Sequence, residues 1–289
     1  MRKSSIITVF LLVGLVMFAG EKPTRVHAHH ESHDIGVLLG GSYYLGELNP
    51  SKHFNMSQPA IGIFYRYNVN HRLAYRVGYT YGVIMGDDSQ SDDDDQINRN
   101  LNFKNKLNEI HGVIEFNFWD YRISNNKHFF SPYVFAGIAL LFHKPMASYG
   151  SNYVELQNLS TEGEGTVLDP AHKKYSLKQI TVPFGIGAKL NLARNVGLSF
   201  EWGMRKTFTD YLDDVSIQYA DPAKLAILKG GIARSLSNTA LNHDNVNMVG
   251  SQRGNPYIKD WYCFFGVTIN VKINPKEKPC HAYQGSKKD

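Results

Sequence analysis

The feature that most constrains this chain is an alternation sustained far longer than a soluble sheet needs. In residues 194–208, Val196, Leu198, Phe200, Trp202 and Met204 share one parity, and Gly197, Ser199, Glu201, Gly203 and Arg205 share the other. A pleated strand sends these two sets to opposite faces, so one face is apolar and the other small or polar. The stretch 175–190 repeats the pattern, with Ile180, Val182, Phe184, Ile186, Ala188 and Leu190 against Pro183, Gly185, Gly187 and Lys189. The same test yields eight strands, at 33–46, 57–69, 71–86, 103–119, 129–143, 175–190, 194–208 and 258–273. Soluble strands have a mode of about five or six residues, whereas a tilted strand crossing a bilayer needs about 9–11. The length therefore predicts an all-β, eight-stranded antiparallel transmembrane β-barrel.

The connections alternate in length. "NVNHR", "DYRISNNK" and "NLARN" are short and rich in Asn, while "ELNPSKHFNMS", "DDSQSDDDDQINRN", the stretch 145–174 and the stretch 209–257 are long. Outer-membrane barrels place short turns in the periplasm and long loops outside the cell. With eight strands, both ends of the mature chain then fall on the periplasmic side.

The start of the chain fits that destination. Arg2 and Lys3 precede an apolar run from Ile6 to Ala19, and Val26-His27-Ala28 offers small residues at −3 and −1. This reads as a secretory signal peptide over 1–28, with cleavage nearer Gly20 as an alternative. The run is too short for a spanning helix, and none is expected later. Removing 1–28 deletes Arg2, Lys3, Lys22 and Arg25 against Glu21, which lowers the formal charge from +5 to +2. With no basic cluster left on any one segment beyond the terminal tail, nucleic acid is not an expected partner. The barrel is assigned to 29–273 and a periplasmic tail to 274–289. An aromatic share of 12% and 25 glycines favour strands over a helical bundle.

Arg66, Arg76, Glu115, Glu201 and Arg205 lie opposite the apolar stripes of their strands, hence inside the barrel. Eight strands leave an interior that side chains alone fill. Charges there need partners, because an uncompensated buried charge costs several kcal/mol. A paired plug is the expectation, with a proton or substrate path as the alternative.

Other clusters carry less. His29, His30 and His33 could ligate a transition metal, but crowded into a chain end they read as a solvated linker. Asp92 to Asp95, after Asp87 and Asp88, lacks the spacing of a calcium loop and is expected to be a mobile, self-repelling surface loop. "STEGEGT" (160–166) follows no strand and opens no helix, so loop packing is expected rather than a phosphate cradle. After Asp221-Pro222, the residues Leu225, Ile227 and Leu228 predict a short helix ending at Gly230-Gly231. His143, His172 and Asp210 are available for hydrolysis, yet no nucleophile elbow or triad spacing accompanies them. No catalytic residue, cofactor or metal is expected.

Six blocks resemble a known family. "GGSYYLGELNP" (40–50), "FYRYN" (64–68), "SPYVFAGIALLFHKP" (131–145), "STEGEG" (160–165), "FTDYLDDVS" (208–216) and "QRGN" with "KDWYCFFG" (252–266) are similar to the PorG-type outer-membrane barrels of the type IX secretion machinery of Bacteroidota. The resemblance implies a non-enzymatic barrel in outer-membrane lipid, which docks a periplasmic ring built from a lipoprotein and its partner. A small pore or ligand-binding barrel unconnected with secretion is the alternative.

Two cysteines complete the reading. Cys263 falls near the outer rim on the lipid-facing parity of the last strand, and Cys280 lies in the tail beyond Ile273. A tail crossing back through lipid would leave backbone unpaired, so the two are not expected to bond. Cys280 is expected either to pair with a cysteine on a periplasmic partner or to remain a free thiol. A tail of 16 residues also replaces the usual C-terminal aromatic of such barrels.

Overall fold

The computed structural model describes residues 31–123, 127–241 and 248–273. The signal-peptide segment, His29, His30, the tail and Cys280 lie outside the described residues. Eight long strands form the wall: β1 (Ser32–Leu45), β2 (Gln58–Asn68), β3 (Leu73–Asp87), β4 (Asn102–Asn117), β5 (Phe130–Tyr149), β7 (Lys178–Ala193), β8 (Val196–Thr207) and β9 (Trp261–Ile273). A short strand, β6 (Asn152–Glu155), forms a hairpin with the far end of β5. Every neighbour in the wall is antiparallel and consecutive, and β9 returns to β1 with Gly40 opposite Gly266. The barrel is therefore closed, with no free edge within the wall.

Facing follows the alternation. Ile35, Val37 and Leu39 of β1, Ile61 and Ile63 of β2, Ile138 and Leu140 of β5 and Val271 of β9 are exposed on the outside. Water disfavours an apolar belt of this extent, and a bilayer covers it. The opposite parity is buried. Glycines make room for large inward rings: a Cβ on Gly187 would lie 2.4 Å from the Tyr133 ring, and one on Gly185 would lie 2.6 Å from Phe135.

The short turns after β2, β4 and β7 lie at one end, where Ser32 and His33 begin β1 and Ile273 ends β9. At the other end the long connections are built, and among the described residues they hold a 3-10 turn (Asp88–Gln90) and three α-helices: α1 (Asp94–Arg99), α2 (Pro222–Lys229) and α3 (Gly231–Ser237).

Several expectations need correction here. The acidic run does not form a self-repelling loop, because Asp93 caps α1 by accepting from the Asp95 amide, and Asp94 and Asp95 occupy its first turn. Carboxylates are favourable there beside unpaired backbone amides. Asn100 closes that helix in the left-handed conformation. The helix after Asp221 is found, but a second one, α3, follows Gly230, whose φ of +92° separates the two. Strand β5 runs past His143 to Tyr149, since β4 still pairs with it up to Met146 and β6 takes over there.

Cys263 is also corrected. It has the outward parity, yet none of it is exposed. The β1–β2 connection folds down onto its neighbours: Phe54 packs at 5.1 Å from the Tyr43 ring and 5.0 Å from Phe265. Trp202 Nε1 donates to the Tyr43 hydroxyl at 3.0 Å. The thiol is enclosed by Tyr43 and Met204 rather than facing lipid.

Candidate functional site

The interior near the short-turn end is a charged layer. Register places Asp34 opposite Arg66, and Arg66 opposite Arg76, on three adjoining strands. Glu115 of β4 lies at the centre, with Arg66 Nε at 2.9 Å, Arg76 Nε at 3.0 Å and Lys189 Nζ at 2.6 Å. Arg76 reaches across to Glu201 with both terminal nitrogens, at 2.5 and 3.0 Å. This two-pronged geometry is the strong form of the pair. Tyr133 donates its hydroxyl to Glu201 at 2.8 Å, and Asp34 takes Asn68 and Asn270 amides at 3.0 and 3.2 Å. Three cations thus meet three carboxylates in a layer with almost no exposure.

Of the five residues singled out, four join this layer. Arg205 sits nearer the loops and pairs with Glu109 at 3.4 Å, where Tyr262 also donates at 2.5 Å. Lys189, Asp34 and Glu109 were not singled out, although their strand parity would have placed each of them inside. Above them the interior turns apolar: Tyr44, Phe103, Leu107, Leu141 and Phe264 pack together, and Leu212 of the β8–β9 connection drops in from above with no exposure. Asn105 secures it by donating to the Leu212 carbonyl at 2.7 Å.

The connections at this end form a second buried polar region. Arg99 clamps Asp88 at 2.7 and 2.8 Å and also donates to the Arg253 carbonyl. Arg253 donates to Glu162 at 3.1 Å, and Glu162 in turn accepts the Ser216 and Ile217 amides. Asp214, at a φ of +68°, accepts from Thr161 and Tyr175, both at 2.5 Å. The "STEGEGT" segment is thus packed into the cap through Thr161 and Glu162.

Carboxylates outnumber cations here. Burial, with Asp214 beside it, pushes Glu164 up to about 8. Burial pushes Asp214 up to about 6 against the pull of Arg253, and burial with Glu47 nearby pushes Asp210 up to about 7. Asp213 and Asp260 are raised well above the ordinary carboxylate range, burial again being the main cause. The Tyr44 hydroxyl lies 2.5 Å from Asp213 and 2.9 Å from Asp260. Its single proton serves only one of them.

The histidines expected to be available have separate partners. His143 contacts Asn105 and the Ser176 carbonyl, and His172 pairs with Asp169 at 2.7 Å. Asp210 accepts from Ser216 at 2.8 Å. His33 lies 2.5 Å from the Tyr65 hydroxyl and stacks on Tyr65 and Tyr67 at the short-turn end.

Among solved structures, the chain is similar to Ail, the attachment invasion locus protein of Yersinia pestis, solved with the heparin analogue sucrose octasulfate. The identity is 8%, with 84% of this chain and 99% of that chain covered, at a TM-score of 0.41. A major outer membrane protein from Thermus thermophilus is similar at 9% identity, 85% and 100% coverage and a TM-score of 0.39. Neisserial surface protein A is similar at 11%, 84% and 97% coverage and 0.38. No curated protein matches the chain. A family model matches residues 10–232, which take in β1 through β8 and run into the β8–β9 connection, and the chain belongs to that family, described as Domain of unknown function (DUF6089).

Proposed function

We propose that the chain is an integral outer-membrane barrel that works by docking rather than by conducting or catalysing, and that it ties the periplasmic ring of the type IX secretion machinery to the outer membrane. The observation that carries the docking reading is the filled interior. Buried Arg66, Arg76, Glu115, Lys189 and Glu201 cross the barrel at one level, and Tyr44, Leu107 and Leu212 cross it at another. A solute would have to displace both layers, and the charged one is expensive to open. The secretion role rests on the six sequence blocks similar to PorG-type barrels. In this reading the short-turn end, with His33 opposite Ile273, faces the periplasm and offers the tail to a ring lipoprotein and its partner. Cys280 is the residue that would form a disulfide with one of them.

Purification from mild detergent tests the proposal. The full chain should bring ring proteins with it, and deletion of residues 275–289 should release them while the barrel stays in the membrane. On a non-reducing gel, a partner-sized shift should vanish in Cys280→Ala and persist in Cys263→Ala. Steady, solute-dependent conductance of the pure protein in planar bilayers would replace docking with a pore.

A further inference from the structure

Glu47, Asp210 and Asp260 come from the β1–β2 connection, the start of the β8–β9 connection and the residue before β9. Each offers a carboxylate oxygen, and these lie within 4.8 Å of one another. Two oxygens on one calcium ion can be separated by no more than twice the metal–oxygen distance of about 2.3–2.6 Å, which is roughly 5 Å. The three groups are already within that span.

A separate observation points to something missing from the set. Asp210 is 2% exposed, and its Oδ1 has no hydrogen-bond partner; Glu47 Oε2 has none either. The remaining oxygens are occupied. Asp210 Oδ2 accepts from Ser216, Glu47 Oε1 from the Asn255 amide, and Asp260 from the Tyr44 hydroxyl and the Leu212 amide. A buried carboxylate oxygen without a donor bears the full cost of its lost hydration. Three cations lie near enough to attract these carboxylates, but their contacts go elsewhere: Lys259 donates to the Pro256 carbonyl, Arg99 donates to Asp88, and Lys206 sits over the Trp261 ring at 4.3 Å. A cavity of about 960 Å³, lined in part by Glu47, Arg99 and Lys259, reaches the Glu47 side of the set.

We propose that Glu47, Asp210 and Asp260 bind one calcium ion, which fastens the β1–β2 connection to the root of the β8–β9 connection. Oxygen-only donors, three carboxylates and irregular backbone suit a hard cation that tolerates uneven geometry. The exposed acids just before α1 are spent differently, with Asp92 on Lys52 and Asp93 on the helix cap.

The test uses the full mature chain in detergent, stripped with chelator and titrated with calcium chloride by calorimetry up to about 10 mM, ten times the weak end of extracellular calcium modules. Terbium luminescence excited through tyrosine gives a second readout, because Tyr44 touches Asp260. Saturable binding of about one ion is expected, weakened at least tenfold in Asp210→Asn and in Glu47→Gln and unchanged in Asp92→Asn/Asp94→Asn. Heat-dependent gel mobility confirms that each variant is a folded barrel. Absence of saturable binding by the unmodified chain overturns the proposal without reference to any variant. Equal binding by Glu47→Gln, or loss in the Asp92→Asn/Asp94→Asn control instead, overturns it as well.

Discussion

The interior of the wall and the cap above it are both buried and both charged, yet they balance charge in opposite ways. In the wall, Glu115, Glu201 and Asp34 face Arg66, Arg76 and Lys189 across short distances fixed by strand register. In the cap, Glu47, Glu164, Asp210, Asp213, Asp214 and Asp260 crowd together, while Arg99 and Arg253 already have partners. The first region is neutral through its own side chains. The second becomes neutral only by taking something from solution, a proton or an ion. Regular backbone can place opposite charges at fixed heights on neighbouring strands, whereas irregular loops gather whatever carboxylates their turns require.

Breaking the balance in the wall should have the largest effect. Glu115→Ala strips Lys189 of its carboxylate and leaves three cations against two, Asp34 and Glu201, and should cost about 3–5 kcal/mol. Urea titration followed by heat-dependent gel mobility measures it; a loss under 1 kcal/mol would mean that water or an anion enters the layer. In the cap, Leu212→Ala removes the side chain that closes the mouth and should cost roughly 2–5 kcal/mol. Its signature is faster proteolysis within 208–260, with the wall strands still protected.

Acidity sharpens the contrast next. Glu164 holds its proton in the closed cap up to about pH 8 but has an ordinary value of 4.5 when the loop opens. Between those values the open form is ionised and the closed form is not, so cap stability falls as pH rises, by at most about 1.4 kcal/mol per unit. Amide exchange in 160–176, corrected for its intrinsic rate, should therefore accelerate from pH 5 to 8 in the native chain, and Glu164→Gln should flatten that slope to the part left by Asp214, which is itself pushed up to about 6 and holds Thr161 and Tyr175. The wall strands should show no such slope. The smallest effect belongs to the surface: Asp93→Ala, at the cap of α1, should cost about 1 kcal/mol, read as local exchange in 94–99.

The wall was legible in the sequence because a period of two gives both the strand and the face. Val196 to Met204 and Ile180 to Leu190 announced their apolar sides, and the same parity placed Arg66, Arg76, Glu115 and Glu201 inside. Which charges meet was not legible. Lys189 reaches Glu115 from 74 positions away, and Arg205 is offset by one layer and finds Glu109 instead. The cap was opaque for the same reason carried further: Tyr44 and Asp260 are 216 positions apart, and no local pattern links them. The acidic run misled because composition alone does not reveal that Asp93 begins a helix.

The cover over Cys263 makes the barrel's outside report on its loops. The thiol is enclosed by Tyr43 and Met204, and Phe54 packs on Tyr43 from outside, so a small alkylating reagent should reach it faster when the 46–57 segment lifts. Its labelling half-life is a clock for that lifting, read at a native thiol with no cysteine introduced. Phe54→Ala should make the clock run faster, and any ligand that clamps the long connections together should slow it.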